Sequence, residues 1–238
     1  MARVLVVEHE SNASIGLVGE RIAAAGVEMT MVGPEIGVDV PISAHGFDGV
    51  IVLGGTPGPN DDDDAAWLPR VRELIADCLE REVPMLGICL GAELLAVVAG
   101  GRVDDVRNGA EIGLCDLALT DAAAGDPLFD GLEGELKALQ WHTLEIHELP
   151  EGSVSLCAST RCPNQAFRVG AVAWGTQFHM EGLASTAVEW AREDSDELVT
   201  EGLSADHVIS SMQQFEPRLR EVWSTVADRW LALLSKES

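Results

Sequence analysis

One of the five cysteines, Cys89, lies in Gly87-Ile88-Cys89-Leu90-Gly91, between an apolar run, Pro84 to Ile88, and a helical pattern over Leu90 to Val98. A nucleophile at so sharp a strand-to-helix turn holds a strained backbone, and glycines flank it because side chains there would strike neighbouring elements. Such a turn exposes the sulfur, and the free N–H groups and dipole of the helix N-terminus favour its thiolate form. The same residues also suit a buried structural cysteine beside two packing glycines, the ordinary reading for Cys78, Cys115 or Cys157.

A thiol nucleophile needs a base to take and return its proton. In Gln177-Phe178-His179-Met180-Glu181, which follows the apolar run Ala171 to Trp174, His179 falls at or just past a strand end. A carboxylate two residues on, Glu181, can orient the ring through its other nitrogen, so Cys89, His179 and Glu181 form a triad by role. A solvent-satisfied surface histidine would have the same local sequence. Gly54-Gly55-Thr56-Pro57-Gly58-Pro59 follows a third apolar run, Val50 to Leu53. Backbone N–H groups in such a loop can make an oxyanion hole, or the loop can be only a turn. It has neither the Gly-x-x-x-x-Gly-Lys-Ser/Thr nor the Gly-x-Gly-x-x-Gly spacing of phosphate and dinucleotide sites.

Strands Arg3 to Val7, Gly49 to Leu53 and Pro84 to Ile88 alternate with helices Ile15 to Ala25, Trp67 to Arg81 and Leu90 to Val98. Strands rich in Val, Ile and Leu, separated by helices, predict βαβ crossovers and an open, mostly parallel, twisted α/β sheet. Beyond Val103 shorter runs (Leu114 to Leu119, Leu136 to Gln140, Val154 to Ala158, Ala171 to Gln177) predict an antiparallel or mixed extension of the same sheet. The division expected is a catalytic domain over 1–184 and a helical extension over 185–238 packed on it. The extension has Ser185 as N-cap before Thr186 to Arg192, an acidic connection, and a last helix whose Leu219, Trp223, Val226, Trp230 and Leu233 form a stripe. Burial against the body is the first reading of that stripe and a docking surface the second.

The 238 residues carry 15 Lys and Arg against 40 Asp and Glu, a net charge of −25. That is the wrong sign for nucleic acid or an anionic membrane surface. Only Lys137 and Lys236 are lysines, and acids cluster at Asp61 to Asp64 and Glu193 to Glu197, as on a solvated acidic surface. Cys78, Cys89, Cys115, Cys157 and Cys162 are odd in number and lack Cys-x-x-Cys spacing, against a disulfide framework or structural zinc. Neither a targeting segment nor a membrane span is expected, so the prediction is a cytoplasmic protein with reduced thiols.

Taken in order, these motifs resemble the class I glutamine amidotransferases, nearest the stand-alone GMP-synthase-like branch. The resemblance runs from Val4 to about Gly182. It includes Pro84 to Gly91, Glu111-Ile112-Gly113, Asp126-Pro127-Leu128-Phe129, Gln140-Trp141-His142, Asn164-Gln165-Ala166-Phe167 and Gln177-Phe178-His179. It implies a flavodoxin-like three-layer α/β/α fold and no cofactor or metal. Cys89 would be the nucleophile, His179 general base and acid, Glu181 its orienting partner, and the N–H groups of Gly55 and Leu90 the oxyanion hole. Gly54, Glu93, Gln140, Trp141 and His142 would contact substrate. The implied reaction frees ammonia from the γ-amide of glutamine through a γ-glutamyl thioester.

Two positions depart from the family pattern. Glu93 stands where amidotransferases usually have glutamine, and resembles the elbow of γ-glutamyl hydrolases; a carboxylate there accepts hydrogen bonds but cannot donate unless protonated. Leu144 holds a place often occupied by aspartate, with Glu145 and His147 as nearby substitutes. The chain has no Ser-Gly-Gly pyrophosphatase signature and no Walker motif, so ammonia would pass to a separate synthetase subunit or to none. Three readings follow: a glutamine amidase serving an unidentified acceptor, a γ-glutamyl hydrolase or peptidase with the same triad, and a non-catalytic binding or regulatory module. Retention of Cys89, His179 and Glu181 together argues against the third.

Overall fold

The computed structural model describes residues 1–234, without the side chain of Glu197; Lys236 and the last four residues of the expected extension lie outside the described residues. The strands are β1 (Arg3–Val7), β2 (Glu28–Val32), β3 (Gly49–Val52), β4 (Met85–Ile88), β5 (Arg102–Asp105), β6 (Glu111–Leu119), β7 (Leu136–His142), β8 (Leu144–Glu148), β9 (Val154–Ala158), β10 (Ala166–Val169) and β11 (Ala173–Thr176). The helices are α1 (Gly16–Ala24), α2 (Leu68–Arg81), α3 (Leu90–Val98), α4 (Ala184–Glu193), α5 (Ser195–Thr200) and α6 (Ala205–Leu233).

Nine strands form one sheet in the order β2-β1-β3-β4-β11-β10-β9-β6-β7, and β5 pairs with β8 separately. From β2 to β11 the neighbours are parallel; from β11 to β7 they are antiparallel. The parallel β1, β3 and β4 and the antiparallel β6, β7 and β9 are those expected from the patterning, while β11, expected within the extension, pairs in parallel with β4. Alternation splits the apolar residues between two layers, because successive side chains of a strand point to opposite faces. Val4, Val6 and Ile51 join α1, α4 and α6 in one core, while Leu5, Val7, Val50 and Val52 join α2 and α3 in the other. This is the three-layer α/β/α arrangement.

The α6 stripe is part of the first core: Leu219, Trp223, Val226 and Trp230 are buried and Leu233 is partly so, which removes it as a docking surface. Helix α4 begins two residues earlier than expected. Its N-cap is Leu183, whose N–H donates to Thr186 Oγ1 at 3.3 Å, so Ser185 sits inside the first turn. Within the acidic connection α5 forms. Strands β2, β5, β8 and β10 were not anticipated.

Asp126 shows what its motif does. Its buried carboxylate accepts the Leu128 N–H at 2.9 Å, the Arg168 Nε at 2.9 Å and the Trp174 Nε1 at 3.2 Å, tying a loop to β10 and β11. Asp126→Ala leaves a guanidinium and an indole N–H without their acceptor and is expected to cost about 3 kcal/mol, read from the urea midpoint.

Candidate active site

The site lies where β3, β4 and β11 end at their C-terminal edge, the usual place for chemistry in an open parallel sheet. Cys89 follows β4 and caps α3 with φ +50° and ψ −110°, a conformation side chains rarely adopt. Its N–H donates to the Thr176 carbonyl of β11 at 2.8 Å, and Glu93 N–H returns to the Cys89 carbonyl at 3.0 Å. The flanking glycines are steric requirements. A Cβ on Gly91 would lie 2.0 Å from the Val52 carbonyl oxygen, and one on Gly87 would lie 2.4 Å from the Gly91 oxygen.

His179 comes from the segment after β11, held by its N–H to the Leu139 carbonyl of β7 at 2.8 Å. Its Nδ1 is 2.7 Å from Glu181 Oε1, so the carboxylate fixes a proton on Nδ1 and leaves Nε2 as the basic nitrogen. Glu181 is anchored in turn, its carbonyl accepting the Leu17 N–H at the start of α1 at 3.0 Å. Gly54 sits between the two reactive side chains: a Cβ there would be 2.9 Å from His179 Cε1 and 3.5 Å from Cys89 Cβ. Gly55 rests on His9, a buried imidazole stacked on Trp67 at 4.2 Å whose pKa burial lowers to about 3. Glu10 holds the same loop by accepting the Thr56 N–H at 2.8 Å and its hydroxyl at 2.9 Å.

A cavity of about 220 Å³ opens on Cys89 and His179. Of the expected site residues, Gly55, Glu93, Trp141 and His142 line it, as does Leu144. Gln140 does not: its amide donates to Gln165 Oε1 at 2.8 Å in a buried network that continues to Glu111. Glu145 and His147 do not replace the missing aspartate either, because Glu145 is paired with Arg107 and His147, both at 3.3 Å, away from the cavity. Glu10, Trp190 and Asp194 also line the cavity and were not anticipated. Gln177 was quoted only as part of a motif; its Nε2 donates to Glu93 Oε1 at 2.8 Å.

The electrostatics reverse one expectation. Burial pushes the Cys89 thiol well above its ordinary pKa, and the charges of Glu93 and Glu181 push it further; the Leu90 N–H and Gln177 oppose them and lose. Burial and the two carboxylates thus outweigh the helix N-terminus at this sulfur. Burial also raises the pKa of Glu93, against the pull of Gln177, His142 and His179. Glu93→Gln removes the larger of the two repelling charge effects, so the thiol pKa falls and iodoacetamide alkylates Cys89 faster at a given pH. The gain is expected to be about threefold near pH 8, shrinking as Glu93 is protonated on acidification.

The family model described as glutamine amidotransferase class-I matches residues 13–191. The chain belongs to this family. A curated relative of this chain, a glutamine-hydrolyzing GMP synthase subunit from Methanopyrus kandleri, is 37% identical over 111 residues, 46% of this chain and 57% of the relative. The chain thus matches little more than half the length of that relative. γ-Glutamyl peptidase 5 of Arabidopsis thaliana is 26% identical over 187 residues, 78% of this chain and 73% of the peptidase. The crystal structure of a glutamine amidotransferase from Methylobacillus flagellatus superposes with a TM-score of 0.90 at 26% identity, over 100% of this chain and 97% of the other. No helix of this chain, among the described residues, is long and apolar enough to cross a membrane.

Proposed function

We propose that the chain is a cysteine-dependent amidase that cleaves the γ-amide of glutamine and releases ammonia for a separate acceptor enzyme. The observation that carries this reading is the Glu181–His179 bond at 2.7 Å on a cavity shared with Cys89. His179 Nε2 takes the thiol proton as the sulfur attacks the amide carbon. The N–H groups of Gly55 and Leu90 receive the oxyanion, and Glu181 stabilises the imidazolium. As the C–N bond breaks, the proton moves from His179 to the departing nitrogen. A γ-glutamyl thioester remains, which water, activated by the same histidine, converts to glutamate and free thiol. Likeness to the Methanopyrus GMP synthase component supports a separate synthetase as the acceptor, and five free cysteines fit a reducing cytoplasm.

A second reading, hydrolysis of γ-glutamyl compounds by the same residues, is favoured by Glu93 on the cavity wall and by likeness to a γ-glutamyl peptidase. Glutamate release by wild-type and Cys89→Ser protein from L-glutamine and from a γ-glutamyl dipeptide tests both. Cys89-dependent release from glutamine is expected. Release from the dipeptide alone would replace the first reading by the second, and release from neither would favour a non-catalytic module.

A further inference from the structure

The charges around the cavity are unbalanced. Glu10, Glu93 and Asp194 line it, and no Arg or Lys among the described residues does. Two buried carboxylates away from the cavity have cationic partners, Asp126 with Arg168 at 2.9 Å and Glu145 with Arg107 at 3.3 Å, while Glu111 is held by the Gln165 amide. The cavity carboxylates are instead met by neutral donors, Glu10 by Thr56, Glu93 by the Gln177 amide and Asp194 by the Trp141 indole at 2.8 Å. Glu93 is only 3% exposed, with Oε1 alone engaged. Of the three, Glu93 is buried and Glu10 and Asp194 are partly exposed; a buried carboxylate without a cation is costly, and a cationic ligand reduces that cost.

A second, independent feature lies beside these carboxylates. Trp141 and Trp190 both line the cavity and meet edge to face, with centroids 5.6 Å apart and planes at 62°. Asp194 is fastened to this corner through Trp141 Nε1. Two indoles and a carboxylate attract an ammonium through ring quadrupole and charge alike. His179 lies against the same Trp190 at 4.6 Å, so the corner borders the group that returns the proton to the leaving nitrogen.

We propose that this cleft selects γ-glutamyl amides whose leaving amine carries a second, positively charged nitrogen, as in a diamine or polyamine acylated at one end. The proposal rests on the hydrolase form of the function above. The chemistry is unchanged: the thiol proton passes through His179 to the leaving nitrogen as the amide C–N bond breaks, and water cleaves the thioester, giving glutamate and the free diamine. What differs is that the distal ammonium sits against Trp141, Trp190 and Asp194 while this happens.

Three amides whose amine parts each have four carbons vary the terminal charge: the γ-glutamyl monoamides of 1,4-diaminobutane, of n-butylamine and of 4-aminobutanoate. All share the γ-glutamyl part, so its own charges cancel from the comparison. At low ionic strength kcat/KM is expected to fall about tenfold from the diamine to the butylamide and further to the aminobutanoate, with ratios that shrink in roughly 0.5 M NaCl. Asp194→Asn, which keeps an acceptor for Trp141, is expected to cut the ratio of diamine to butylamide kcat/KM at least about threefold, and Asp194→Glu to restore that ratio. Equal rates for the three amides, or the reverse order, would overturn the proposal while leaving the amidase standing. No Cys89-dependent glutamate from these amides or from glutamine would remove the amidase, and this inference with it.

Discussion

Cys89→Ala is expected to lower glutamate release by roughly 10⁴-fold or more while leaving the fold intact. The size follows from the lack of an equivalent: among the described residues lining the cavity there is no other thiol and no serine, and Thr56 and Thr143 bring only hydroxyls, that of Thr56 already donated to Glu10 at 2.9 Å. Stability moves the other way at the same position. The residue holds φ +50°, at a cost of about 1–3 kcal/mol for any side chain, and glycine avoids that cost but loses about 0.5–1 kcal/mol to chain entropy. Cys89→Gly is therefore expected to be inactive yet more stable than the parent by about 1 kcal/mol, with Cys89→Ala near the parent. Paired glutamate-release assays and thermal melts check both signs. A Cys89→Gly protein less stable than Cys89→Ala would mean that the elbow is relaxed rather than strained.

Gly91→Ala is expected to be the most damaging single methyl in the molecule's elbow. Its Cβ would lie 2.0 Å from the Val52 carbonyl oxygen and 2.8 Å from the carbonyl carbon, and both belong to the backbone of a central strand, which cannot swing aside. Relief requires α3 to lift from β3, opening the layer formed by Leu90, Leu94 and Leu95. A loss of about 3 kcal/mol or more is expected, with activity lost as well, because the helix that lifts carries the Leu90 N–H. Gly26→Ala is the control: its φ is +66° but nothing lies within 4 Å of the added carbon, so only backbone strain of about 1 kcal/mol applies. Urea midpoints for the two variants should differ accordingly.

Much of this site was legible because its parts are local. The elbow glycines, the loop after β3 and the His-x-Glu pair are contiguous stretches beside strands that the Val and Ile runs make plain. What escaped depends on contacts between distant segments. Strand β5, Arg-Val-Asp-Asp, is charged and largely exposed, so its alternation has no buried face to report, and β2 is half exposed at the sheet edge. Gln140 lies two residues inside β7 from His142, about 7 Å further from the strand end, which is enough to take it from the cavity wall into the buried network. The sign of the Cys89 shift escaped for a related reason. A helix N-terminus can be read from a turn, but the burial and the Glu181 charge that outweigh it are supplied by chain folded over the sulfur from elsewhere. Asp194 and Glu10 reach the cavity from loops whose local sequences say nothing of a nucleophile.

The order of the strands also sets an order in time. Strand β4, which leads into Cys89, has β3 on one side and β11 on the other, and β11 is the last of the described strands to be made. A growing polypeptide can pair β1 to β4 early, but until Ala173–Thr176 emerges β4 is an open edge and the Cys89 N–H has no acceptor on β11. The histidine and glutamate follow only a few residues later, and α4 and α6 then close over them. On the ribosome the nucleophile therefore remains without its base until the chain has grown past Glu181, and the same pairing that seals the sheet assembles the reactive centre.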